Sequence, residues 1–252
     1  MNQGAESVLF KLMRAQHHVR VLEEELAEWS QSKPFGFRSE TSADRLQVTL
    51  HHRVDHEAPP TIGLLIGDAI QNYRIALDHL LFNIPRAPGT DRRWQRWSQF
   101  PITDDATSFA GAKNNTLGMD FAAIKAIEGL QPYFGGRDPV GHPIWYLREL
   151  STLDNHRILH VVAMLPRNVK VALPPPPTGT LRVVFAEGVA LENAVLGKLY
   201  YSNPALRGVD MEVSITYGIT VKGLEPPVGI LTVMDFIDRA VVESISKLAT
   251  FL

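Results

Sequence analysis

The chain alternates between two hydrophobic periods, and that alternation predicts its elements. Over residues 5–31, Val8, Leu12, Ala15, Val19, Leu22, Leu26 and Trp29 recur every three or four positions, which predicts a helix. From Phe35 to Val54 the period falls to two, with Leu46, Val48, Leu50, His52 and Val54 facing one way. A hairpin turning at residues 41–44 is expected there. After Pro59 and Pro60 the helical period returns in Ile62, Leu65, Ile66, Ala69, Ile70, Tyr73, Ala76, Leu77, Leu80, Leu81 and Ile84, closing before Pro85.

Two shorter helices are predicted at 104–113 and 118–131. A longer one spans Ile144 to Leu165, opened by Pro143 and stopped by Pro166. Beyond Pro166 the pattern changes. Residues 169–173, 181–185, 194–201 and an unbroken alternation from Met211 to Val221 predict strands, and Ile230 to Phe251 predicts a closing helix. The expected class is α+β: a helical bundle with an inserted hairpin at 35–54 over residues 1–166, followed by an antiparallel sheet and a C-terminal helix over 167–252. The two parts are expected to pack as one unit. No sequence repeat is present.

Composition narrows the chemistry more than it names it. With 252 residues, 25 Lys plus Arg against 27 Asp plus Glu, the formal net charge is -2, so no global basic field favours nucleic acid. The absence of cysteine removes disulfides, thiolate nucleophiles and sulfur-ligated metals. The first sixteen residues lack a charged region followed by a long apolar core. No run reaches the ~18 apolar residues of a spanning helix, so a cytoplasmic protein with no membrane partner is expected.

Ionisable groups concentrate on two of the predicted helices. On Gly67–Leu80, Asp68, Asn72 and His79 fall on one flank of the apolar face, and Arg74 and Asp78 on the other at an i, i+4 spacing. On Ile144–Leu165, Asp154 and Arg157 lie within the apolar stripe and require partners. Glu149, His156 and His160 share another stripe, the two histidines one turn apart. Three kinds of chemistry follow.

In a purely structural reading, Arg74 pairs with Asp78 or Asp154 and Arg157 does the converse, giving a buried lattice that sets helix register. In a metal-centre reading, Glu149, His156 and His160 join His79 and Asp68 around a divalent transition metal, as helical bundles do. No cofactor is favoured, and a divalent transition metal is the alternative. A third reading uses Arg74 and His79, where histidine moves a 2'-hydroxyl proton and arginine stabilises phosphate charge.

This Arg-x4-His pair resembles the signature of HEPN-type ribonucleases, and the resemblance implies metal-independent cleavage of RNA. Asp78, Asp154, His156 and Arg157 would complete the catalytic set. Because an i, i+5 pair points about 140° apart on a helix, a homodimeric site is the natural way to bring both groups to one phosphate. In the loop at 85–98, Arg92, Arg93 and Arg96 interleave with Trp94 and Trp97. Together with Asn72, the residues Arg93, Trp94, Arg96 and Trp97 are candidate substrate contacts for single-stranded RNA; a packing loop is the competing role.

The motifs GDxxxNxRxxLDH, Gly67 to His79, and LxxLxxxDxHR, Leu147 to Arg157, also resemble those of a bacterial family of hypothetical proteins frequent in actinobacteria. That resemblance implies that Asn72, Arg74, Asp78, His79, Asp154, His156 and Arg157 act as one unit. It leaves Glu149 and His160 outside it, and it implies no activity. Cleavage of RNA is therefore the most specific expectation, with a metal-binding enzyme and a non-enzymatic binding or structural module as alternatives.

Overall fold

The computed structural model describes residues 3–156, 159, 161–164, 169–172, 181–186, 189–190, 192–202, 212–215, 218–225 and 227–252. The fold is α+β, and the chain divides into two compact units, residues 1–24, 61–159 and 231–252 in the first and 25–60 and 160–230 in the second.

The first unit is helical. Helix α1 (Gln3–Gln31) begins in it and crosses the unit boundary after Glu24. Helix α2 (Pro60–Asn83) is followed by a 3-10 helix (Arg92–Trp97), α3 (Ala106–Gly111), α4 (Phe121–Glu128) and α5 (Pro143–His156), and the chain returns as α6 (Ile230–Leu248). Helix α2 is the core element. Ile62, Ile66, Ala69, Ile70, Tyr73, Ala76, Leu77, Leu80 and Leu81 have essentially no exposure, as the apolar spacing requires. The buried faces of α5 (Ile144, Leu147, Leu150) and α6 (Val233, Ile237, Val241) complete this core. Polar ties cross it: the Tyr73 hydroxyl donates to Asp238 at 2.9 Å, and Gln16 donates to the same carboxylate at 2.9 Å.

Gly67 lets α2 and α5 approach closely, because a Cβ there would collide with the Asp154 carboxylate. Asp154 lies over the helix backbone and accepts a hydrogen bond from Gln71 at 3.2 Å. Helix α5 is preceded by His142, whose carbonyl accepts from the Tyr146 N–H at 3.0 Å and whose Nδ1 accepts from the Ile144 N–H at 3.3 Å. This satisfies one of the orphan donors of the first turn. Burial, and then the nearby Arg137, hold His142 below its ordinary pKa.

The second unit is built from antiparallel strands: β1 (Phe35–Thr41), β2 (Gln47–Val54), β3 (Val161–Met164), β4 (Val169–Ala172), β5 (Leu181–Phe185), β6 (Val189–Ala190), β7 (Val195–Tyr201), β8 (Glu212–Ile215) and β9 (Gly218–Val221). They pair as β1-β2-β7-β5, β6-β3-β9 and β4-β8. Leu50, Leu196 and Leu199 form a small core against Phe35, Phe37, Val48 and Val183, and Trp29 at the end of α1 meets the Phe35 ring edge-on.

Two features differ from the expectations of pattern. The helix predicted to reach Leu165 ends at His156, and residues 161–164 form β3 between β9 and β6. A continuous apolar run does not distinguish helix from buried strand, and Val161 and Val162 take the strand when partners are present. The single strand expected over 211–221 is two strands with different neighbours, β8 on β4 and β9 on β3. The hairpin expected at 35–54 lies between α1 and α2 and pairs through β2 with β7, and the closing helix α6 belongs to the helical unit.

Two measurements test this packing. Gly67→Ala is expected to gain up to ~1 kcal/mol of helix propensity in an Asp154→Ala background but less in the wild type, where the new methyl displaces the carboxylate. Urea unfolding that shows equal effects in both backgrounds would contradict the close approach. For His142, a folded pKa below the unfolded value means that its contribution is complete above pH ~6.5 and is lost as pH falls below that value. His142→Asn keeps a capping acceptor without the titration, so its melting midpoint is expected to fall less than wild type between about pH 7 and 5.

Candidate functional site

The first unit carries a cleft of about 530 Å³ between α2, the segment 99–103 and α5. Its lining is polar: Gln71, Arg74 and Asp78 from α2, Gln99 and Thr103 from the segment, Asn115, and Arg148, Ser151, Thr152 and Asn155 from α5. The segment is the unusual wall. Phe100, Pro101 and Ile102 are buried yet belong to no helix or sheet, so their backbone groups need side-chain partners.

Those partners account for the charged cluster. The Phe100 N–H donates to Asp78 Oδ1 at 2.7 Å, and its carbonyl accepts from Arg74 Nη2 at 2.6 Å. Arg74 Nε lies 3.5 Å from the same Asp78 oxygen, and both side chains are about one-fifth exposed (19% and 22%). The i, i+4 pair read from the sequence therefore holds one residue of a neighbouring segment from both sides. Burial outweighs the nearby Arg74 and the Phe100 N–H, and raises Asp78 above the ordinary carboxylate range; burial also lowers Arg74.

Gln131 serves the opposite edge. It is 1% exposed, donates to the Pro101 carbonyl at 3.0 Å and accepts from the Thr103 N–H at 3.0 Å. Arg148 lies at the cleft mouth, paired with Asp104 (2.9 Å) and Glu149 (3.0 Å), with Nη1 3.5 Å from the Ile102 carbonyl. Each cation of the cleft is thus matched by at least one carboxylate.

The other sequence candidates separate into groups. Asp154 accepts from Gln71 rather than from Arg74, and Gln71 also reaches Asn155 at 3.2 Å. His79 does not line the cleft. It shares the other flank of α2 with Asp68, which lies 4.0 Å from His18, and with Asn72, which receives Lys11 at 3.5 Å. Its Nδ1 is buried with no hydrogen-bond partner among the described residues.

Of the metal candidates, Glu149 is engaged by Arg148. Helix α5 ends at His156. The side chain of His156, and all of Arg157 and His160, lie outside the described residues. Among the described residues no group of three or more His, Asp or Glu side chains is placed to hold an ion.

The Arg/Trp stretch is a 3-10 helix away from the cleft lining. Trp94 packs on Phe82 (5.1 Å between ring centroids) with the Arg86 guanidinium 3.7 Å over its ring. Arg93 pairs with Asp91. Arg96 is exposed, and Trp97 is 41% exposed. Trp94 is thus a packing residue, and Trp97 is the ring left at the surface.

Gln71, Gln131, Arg148, Asn115 and the 99–103 backbone were not singled out by pattern. The signal available was Phe100-Pro101-Ile102-Thr103, an apolar run whose proline is unsuited to a central strand. No family model, curated protein or solved structure matches the chain, so the site is interpreted on its own geometry. No helix among the described residues is long and apolar enough to cross a membrane.

Removing either member of the clamp leaves a half-buried charge and an unserved Phe100 group. Arg74→Ala and Asp78→Ala are each expected to cost on the order of 3 kcal/mol, and the double variant less than their sum. Additive losses in denaturant unfolding would show that the two side chains act independently.

Proposed function

We propose that the protein is a non-enzymatic binding module whose cleft takes a small, uncharged polar ligand. The observation that carries this reading is the commitment of the cleft's charges: Arg74 and Asp78 are bound to each other and to Phe100, and Arg148 to Asp104 and Glu149. The rest of the polar lining is uncharged: Gln99, Ser151 and the amides of Gln71, Asn115 and Asn155, each of which has hydrogen-bonding capacity beyond its bond within the wall. A hydrogen-bonding wall without net attraction for an anion suits a neutral partner. The Arg/Asp cluster then has a structural role as the lattice that shapes the wall.

Metal-independent cleavage of RNA requires Arg74 and His79 at one phosphate. Arg74 lines the cleft and His79 belongs to the opposite flank of α2, so that chemistry would need a second copy of the chain to complete it.

Saturation-transfer NMR with a panel of uncharged sugars, polyols, amides and nucleosides is expected to find binders whose signal is lost in Ser151→Trp, which fills the cleft. Single-stranded RNA incubated with the protein and EDTA is expected to stay intact. Cleavage by the wild type that disappears in both Arg74→Lys and His79→Ala would replace this reading with the nuclease.

A further inference from the structure

The wall of the cleft contains a backbone group that no side chain serves. The polar groups of residues 100–103 alternate in direction: those of Phe100 go to Asp78 and Arg74, those of Pro101 and Thr103 to Gln131, and the Ile102 carbonyl turns back toward Arg148. Phe100 and Ile102 therefore present their groups along the edge facing α2 and α5, as alternate residues of an extended chain do. Phe100 has both an acceptor and a donor on that edge. Ile102 has only a donor, Arg148 at 3.5 Å, which is at the limit of a hydrogen bond. Its N–H has no partner among the described residues, and Ile102 lines the cleft.

We propose that the cleft recognises its ligand through a carboxamide, a primary amide or a peptide bond, whose carbonyl oxygen accepts from the Ile102 N–H. The proposal rests on the binding reading above and narrows it to a ligand class. Three observations select that class. The vacant partner must be an acceptor, since Ile102 offers a donor. It has no reason to be an anion, because Arg74 and Arg148 are already paired. The surrounding wall offers both donors and acceptors in Gln71, Gln99, Asn115 and Asn155, which suits a group that both accepts and donates. The protein also supplies its own precedent, since the other edge of the same segment is served by the carboxamide of Gln131.

The test is a TROSY titration of the 15N-labelled full chain with N-acetylglycinamide, run beside glycerol, acetate and inorganic phosphate. The expected result is a saturable downfield shift of the Ile102 amide proton, half complete on the order of millimolar probe for so small a ligand. The side-chain amides of Gln71 and Asn155 should move with it, and acetate or phosphate at equal concentration should leave Ile102 in place. Ile102→Pro removes that donor together with part of a buried side chain, and is expected to abolish the shifts of the Gln71 and Asn155 side-chain amides while the rest of the spectrum stays dispersed. If that variant unfolds, Ser151→Trp, which fills the cleft, is expected to abolish the Ile102 shift and so assign it to binding there; an Ile102 shift that persists in Ser151→Trp would overturn the contact.

Movement of the cleft side chains with the Ile102 proton unmoved would overturn the carboxamide contact and leave the binding reading standing. So would a response to glycerol alone. An equal response of Ile102 to acetate or phosphate would overturn the ligand class. No response to any of the four probes would overturn the carboxamide contact and count against the binding reading.

Discussion

Buried backbone without a sheet partner is the constraint around which the helical unit is arranged. Phe100, Pro101 and Ile102 are taken out of water with no strand beside them. An unpaired buried peptide group costs on the order of 1–3 kcal/mol, so an arrangement that left them all unserved would offset much of a domain's net stability. Helices α2 and α5 and the residues after α4 answer by sending side chains sideways into the segment. Asp78 and Arg74 bracket one residue, Gln131 spans two, and Asn115 reaches the Gln99 carbonyl at 2.7 Å. A helix carrying an i, i+4 cation and carboxylate at its border can act as the missing strand edge.

This arrangement changes the meaning of the charged cluster. A cation and a carboxylate at the edge of a core suggest chemistry when read in isolation, because partial burial is also what tunes catalytic groups. Here burial raises Asp78 and lowers Arg74, yet both groups are spent on the backbone of the same residue, Phe100. Desolvation opposes such a pair, and its geometric specificity compensates by fixing where the segment lies. The cleft is the space left over once that wall is in position, which is why its free groups are amides and hydroxyls.

Much of the helical unit was legible in the sequence. The buried stripe of α2, from Ile62 to Leu81, follows directly from the 3.6-residue period. The separation of Arg74 and Asp78 from Asp68, Asn72 and His79 follows from the angle between positions on a helix. Hydrophobic pattern failed where a run had two solutions. Residues 159–164 are apolar enough for either a helix turn or a strand, and only the presence of β9 and β6 decides between them. The partner choice of the Arg/Asp/Gln groups was equally hidden, since Gln71 and not Arg74 takes Asp154, and a backbone carbonyl 26 positions away takes Arg74.

The sequence by itself determined the α+β class, the helices that bury α2, the hairpin at 35–54, and the two faces on which α2 distributes its charges. These are local properties, set by the period of apolar residues and the geometry of one element. Only the tertiary structure decided that the hairpin joins β7, that α5 stops at His156, and that Arg74 and Asp78 hold Phe100 while the Ile102 N–H has no partner among the described residues. Those outcomes depend on hydrogen-bond partners distant in the chain, and no periodicity within a segment records which distant backbone group its polar side chains will meet.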